Sequence, residues 1–229
     1  MDTQETKDVI LRLRKAGVAF IYFGGGDVFL RDDIFELIRF AEQLGLRSHL
    51  TINAFTVTDE IASNGPIDYL EFGVYQGYAT RSWTALSRHP ESRFFGFDTF
   101  EGLPEDWEFF NEIVPRGTWQ TGGRPPHIHD PRVKFIKGIF QETLPDFLKT
   151  FTPKNRLVIN CDADLYTSTL YLLVTLNYLL GPGQIVIFDE FSTVYEFKAF
   201  RDFTRSFRRK YELLASADRF CERAAMEFV

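Results

Sequence analysis

The 229 residues carry a formal charge of −6 and 45% apolar side chains, which describes a globular chain rather than a disordered or fibrous one. The acidic balance leaves no basic footprint for nucleic acid, and no apolar run reaches the roughly 18 residues of a membrane span. The opening MDTQETKDVI has no signal-peptide core, so a cytoplasmic protein is expected, and Cys161 and Cys221 are too few for a disulfide framework and read as buried small residues.

In chain order, Val18 to Phe23 reads as a strand running into Gly24-Gly25-Gly26. Asp32 or Asp33 can cap a helix in which Ile34, Leu37, Ile38, Ala41 and Leu44 recur at helical spacing. Gly45 stops it, and Leu46 to Ile52 reads as a second strand. The turn-rich Ser63-Asn64-Gly65-Pro66 closes this βαβ unit. Residues 1–63 are thereby set apart from 64–229.

Beyond that seam a longer alternation begins. Strands are expected at Ile67 to Val74, Arg93 to Asp98, Val133 to Lys137, Arg156 to Cys161 and Gln184 to Phe188. Helices are expected at Ala79 to Arg88, Leu144 to Thr150, Ser168 to Leu180 and Glu196 to Arg209. Two last strands, Tyr211 to Ser216 and Arg223 to Val229, can form an antiparallel edge hairpin. The alternation implies an α/β fold with a mostly parallel sheet covered on both faces. A long loop, about 101–130, is rich in Gly, Pro and Trp.

The strongest local signal is Asp68 to Tyr78, where an apolar strand runs into Gly73 and Gly77 before a helix. Glycines there let the backbone turn tightly and approach a ligand. Their spacing is not the Gly-x-Gly-x-x-Gly of a dinucleotide pyrophosphate, which makes a nicotinamide dehydrogenase the weaker reading. Asp98 ends the next strand, where a carboxylate commonly accepts ribose hydroxyls. Asp162 and Asp164 follow one later strand, and Asp189 and Glu190 follow the next. Four converging carboxylates need a cation or a shared proton to offset their repulsion. An all-oxygen set suits Mg²⁺, Ca²⁺ or Mn²⁺. Helix capping or pairing with arginine is the structural alternative.

The segments EFGVYQG (71–77), FDTFEGLPEDW (97–107), KGIFQETLP (137–145), DADLYTST (162–169) and LGPGQIVIFDE (180–190) resemble the macrocin O-methyltransferase family. The resemblance runs from about Asn64 onward. It implies a Rossmann-like class I methyltransferase sheet, S-adenosylmethionine as cofactor, usually Mg²⁺, and a sugar or glycosylated small molecule as methyl acceptor. It places Glu71 and Gly73 at the cofactor's methionine part, counts Gly77 among the cofactor contacts, and puts Asp98 on its ribose and Gly138 and Phe140 near its adenine. Asp162 is also counted among the cofactor contacts. Asp162, Asp189 and Glu190 become metal ligands and Asp164 the general base. The family's usual second acid of the later pair is Asp, so Glu190 departs from the pattern.

Trp107, Trp119 and Gly122-Gly123 read as parts of a lid that stacks on a sugar or closes over the cofactor. His127 and His129 read as exposed loop residues, and the cationic run Arg201 to Lys210 as a solvated helix face. The first 60 residues resemble an internal βαβ piece of a radical S-adenosylmethionine enzyme, with Gly25, Gly26 and Asp27 at its Gly-Gly-Glu motif. No cysteine precedes Cys161 to hold an iron–sulfur cluster. Such a short piece is expected to pack on the larger domain or on a second copy of the chain, as a homodimer. A non-catalytic scaffold that keeps the fold is the alternative to an enzyme.

Overall fold

The computed structural model describes residues 2–23, 33–50, 61–62, 64–109, 112–192, 194–217 and 223–229. Gly25, Gly26, Asp27, Asp32 and Cys221 lie outside the described residues.

The chain opens with a helix that periodicity did not bring forward, α1 (Thr3–Lys15). Asp2 caps it reciprocally with Glu5: the Asp2 side chain accepts the Glu5 N–H (2.8 Å) and Glu5 accepts the Asp2 N–H (2.9 Å). The expected βαβ unit follows as β1 (Phe20–Phe23), α2 (Ile34–Gln43) and β2 (Arg47–Leu50), with β1 and β2 paired in parallel. Asp33 stands at the N-cap of α2 without a side-chain cap bond; its carboxylate accepts the Thr3 hydroxyl instead (2.5 Å). Ile10, Ile21, Leu37, Ala41 and Leu46 form this unit's own core.

The larger sheet has seven strands in the order β10-β11-β9-β8-β3-β4-β7. They are β3 (Ile67–Phe72), β4 (Arg93–Asp98), β7 (Val133–Lys137), β8 (Arg156–Cys161), β9 (Ile185–Phe188), β10 (Tyr211–Ala217) and β11 (Arg223–Phe228). All neighbours are parallel except β11, which runs antiparallel to both β9 and β10. Helices α3 (Tyr78–Leu86), α4 (Phe140–Leu148), α5 (Tyr166–Leu176) and α6 (Val194–Phe207) connect the strands. Of the residues expected to extend α5 to Leu180, Asn177–Leu179 tighten into a 3₁₀ turn. Part of the expected long loop is a short hairpin, β5 (Trp107–Phe109) with β6 (Glu112–Val114).

β3 is buried along its whole length, as a central strand covered on both faces should be. After β3 the chain moves outward through β4 to β7, then returns to place β8 on the other side of β3. That reversal opens a crevice outside the carboxyl ends of β3 and β8, where open α/β sheets bind ligands. No helix among the described residues is long and apolar enough to cross a membrane.

Candidate active site

A cavity of about 400 Å³ lies at this crevice. One wall is the turn after β3. Gly73 has φ +92° there, and a Cβ would sit 1.7 Å from the Asp162 carbonyl oxygen, so only glycine fits between the ends of β3 and β8. Gly77 has φ +75° at the N-cap of α3, beneath Pro126 of the long loop. It shapes the turn without lining the cavity.

Asp98, at the end of β4, does line it. One carboxylate oxygen accepts the Val74 and Tyr75 N–H groups (2.8 and 2.7 Å), and the other accepts the Phe100 N–H (2.6 Å). The group expected to meet a ribose therefore also organises the glycine turn, and a carboxylate with about four acceptor sites has capacity for both. After β7, Gly138 donates its N–H to the Asp98 carbonyl (3.0 Å) and clasps β4. Ile139, Phe140 and Gln141 form the actual wall.

Glu71 is placed differently from the expectation. It is 1% exposed and takes no part in the cavity lining. The Thr80 hydroxyl donates to it at 2.6 Å, tying β3 to the first turn of α3. Burial pushes its carboxyl up to about 8, against the Thr80 bond, which favours the charged form.

The expected acids do line one end of the cavity: Asp162 and Asp164 after β8, Asp189 and Glu190 after β9. Burial, then Asp189, Asp164 and Glu71, hold the Asp162 carboxyl well above its ordinary range, while Arg223 pulls the other way. Asp164 sits in the left-handed region at φ +57°. Its burial, with Glu190 and Asp189 nearby, pushes its carboxyl up to about 7. Asp189 forms an ion pair with Arg223 of β11 (2.5 Å). Among the described residues no three His, Cys, Asp or Glu side chains are grouped so as to hold a metal ion.

Glu196, on the first turn of α6, is an acid that motif reading passed over. It is fully buried and accepts the Glu190 N–H at 3.0 Å, which fixes the turn carrying Asp189 and Glu190. Burial raises its carboxyl well above the usual range, and Asp162, Asp164 and Asp189 add to this. Its signal was present, because Glu196, Ala199, Phe200 and Phe203 share the buried stripe of one helix.

The two loop tryptophans part company. Trp107 is 4% exposed, whereas Trp119 is 40% exposed and lines the cavity. His127 and His129 are exposed, with their Nε2 atoms 2.9 Å apart.

The family model described as Macrocin-O-methyltransferase (TylF) matches residues 49–222, beginning ahead of the seam expected at residue 63. The 8-demethyl-8-(2,3-dimethoxy-alpha-L-rhamnosyl)-tetracenomycin-C 4'-O-methyltransferase of Streptomyces olivaceus is 32% identical over 175 residues. That match covers 69% of this chain and 64% of the relative, so the chain spans less than two thirds of that protein's length. An AdoMet-dependent heme synthase of Oleidesulfovibrio alaskensis is 32% identical over 108 residues, 47% of this chain and 25% of that protein. Two solved structures share the fold. The O-methyltransferase NovP has a TM-score of 0.57 at 20% identity, covering 99% of each chain. The calicheamicin methyltransferase CalS11 has 0.56 at 20% identity, covering 99% of this chain and 94% of that one. The sheet is thus the Rossmann-like methyltransferase type, with its antiparallel edge.

Proposed function

The chain belongs to the macrocin-O-methyltransferase (TylF) family, and from that premise we propose that it transfers a methyl group from S-adenosylmethionine to a hydroxyl of a sugar or glycosylated small molecule. The observation that carries this reading is the charge of the cavity. Asp98, Asp162, Asp164, Asp189 and Glu190 line it, and no lysine or arginine does among the described residues. Such a wall repels a pyrophosphate and suits a ligand bearing ammonium and sulfonium charges. The residues fit this cofactor: Gly73 allows close approach, Asp98 keeps acceptor capacity for a ribose, and Ile139 and Phe140 offer an apolar face for a base.

When bound, the cofactor supplies an electrophilic methyl group on a positive sulfur. The chain's own work is to hold and deprotonate the acceptor. Asp164, with its carboxyl raised to about 7, takes the hydroxyl proton near neutral pH. The walls around it hold the hydroxyl oxygen against the methyl, which turns a bimolecular encounter into an oriented one. Glu196 keeps the Glu190 turn in place while this happens.

Divalent-metal assistance through Asp162, Asp189 and Glu190 is the second reading, supported by their gathering at one cavity end. The Arg223 pair and the absence of a three-ligand group among the described residues do not fit it, so no step is assigned to a metal. Residues 1–63, which resemble an internal piece of a radical S-adenosylmethionine enzyme without its cluster cysteines, are read as a scaffold. Deleting them tests that role through solubility, oligomeric state and turnover.

Calorimetry with S-adenosylmethionine, followed by transfer of its labelled methyl group to a panel of glycosides, tests the main reading. Binding and transfer are expected. A chain that binds no cofactor sinks the reading, and transfer abolished by EDTA and restored by Mg²⁺ reinstates the metal.

A further inference from the structure

The loop between β4 and β7 holds its exposed tryptophan in a strained pose. Trp119 has φ +58°, a left-handed conformation that side chains seldom adopt. Such strain persists where the surroundings over-determine it, and it clusters at ligand clamps. The surroundings here do so. Leu103 donates its N–H to the Thr118 carbonyl (3.0 Å), and Gly117 donates to the Leu103 carbonyl (2.9 Å). Thr121 and Gly123 both donate to the Phe100 carbonyl (3.1 and 2.8 Å). Gly102 packs so closely that a Cβ would lie 2.4 Å from Gly117 and Thr118. The backbone is fixed on both sides of an indole that stays 40% exposed.

The same loop is tied to both acid-bearing turns. The Thr167 hydroxyl, on the first turn of α5 after Asp164, donates to Glu105 (2.5 Å). Trp119 leans on buried Trp107, with ring centroids 5.9 Å apart, and Trp107 in turn meets Tyr195 at the start of α6 (6.5 Å). Lys137 holds the far end of the loop through the Gly123 carbonyl (3.0 Å). The exposed indole thus lines the same cavity as the acids, with a second aromatic ring against it.

We propose that Trp119 is the acceptor subsite: the apolar CH face of a pyranose ring stacks on its indole while the ring hydroxyls donate to the acids, one of them to Asp164. The assignment rests on the methyl-transfer reading above. A flat apolar wall beside carboxylates recognises a ligand that is apolar on its face and rich in donors at its rim. A pyranoside has that form, whereas a planar phenol offers the face with few donors.

The test compares wild type, Trp119→Ala and Trp119→Phe on a panel of p-nitrophenyl pyranosides, with catechol as a planar control and thermal melting as a check on folding. The expected result for Trp119→Ala is a pyranoside KM raised about tenfold, the size of a lost aromatic contact, with kcat nearly unchanged. The KM for S-adenosylmethionine should stay within about twofold, since uniform binding of the other substrate is untouched. Trp119→Phe should recover most of the loss. An unchanged pyranoside KM in a folded Trp119→Ala overturns the proposal, and so does an equal rise in the cofactor's KM, which would put the indole on adenine. Wild-type transfer to catechol but to no pyranoside overturns the ligand class. Wild-type transfer to nothing overturns the methyl-transfer reading itself, before any variant is made.

Discussion

Asp68 and Glu71 stand on the same buried strand, 0% and 1% exposed, near opposite ends of the sheet. Asp68 is met by donors on every side. The Arg93 guanidinium donates to both of its oxygens (2.8 and 2.6 Å), and the Lys154 N–H, the Asn155 N–H and the Asn155 side-chain amide complete the shell. At the carboxyl end, Glu71, Asp162, Asp164 and Glu196 are each driven toward the protonated form instead, by burial first and by neighbouring acids after it. A buried acid surrounded by donors holds the chain together. Buried acids left short of donors store proton affinity, which chemistry can use.

The sharpest break of this contrast is Asp164→Asn, which should lower kcat by about 10²- to 10⁴-fold while cofactor binding survives. As the proposed base Asp164 acts in its ionised form, and with burial pushing its carboxyl up to about 7, kcat/KM should fall as pH drops below that value. A pH–rate profile without an acid limb there would remove Asp164 from the role. At the other end, Arg93→Met leaves the buried Asp68 carboxylate without its countercharge. It should cost about 3 kcal/mol or more in urea unfolding, the scale of a broken buried pair, with kcat of the folded fraction unchanged. Glu196→Ala strands the Glu190 N–H and should cost about 1–3 kcal/mol, whereas Glu196→Gln keeps an acceptor and should lose much less. The smallest effect belongs to Glu71→Gln. The Glu71 carboxyl is raised in the fold, so its stabilisation is complete below the unfolded carboxylate range and is lost as pH rises through about 8. The variant should match wild type below the usual carboxylate range, where Glu71 is protonated in both states, and unfold with a flatter pH dependence from there up to about 8, read by urea titration across that window.

Much of this was legible because it rests on short-range signals. Strand and helix periodicity found all five parallel strands of the large sheet, and the five motif segments put Gly73, Asp98, Phe140 and the four later acids on one cavity. Less legible are the residues whose surroundings are set by what packs against them. Glu71 follows the motif yet turns to Thr80, and Gly138 clasps a strand instead of lining the wall. Glu196 sits in an ordinary amphipathic helix, and only the tertiary fold brings it under the Asp189–Glu190 turn. Arg223, the counter-charge to Asp189, comes from a strand far along the chain that no local pattern connects to the site. Helix α1 was legible after all, through the Asp2–Glu5 capping box, though its apolar stripe is too thin to draw the eye.

The antiparallel strand β11 has a consequence in time as well as in space. It lies between β9 and β10, and among the described residues β10 has no other neighbour in the sheet. A ribosome delivers β10 first, so that strand must wait beside an incomplete sheet, its hydrogen-bonding groups unpaired, until β11 slots in. The same insertion brings Arg223 to Asp189. A nascent chain can therefore finish the glycine turn and the Asp98 side of the cavity early, but its acid end acquires the Arg223 charge only once β11 has been made.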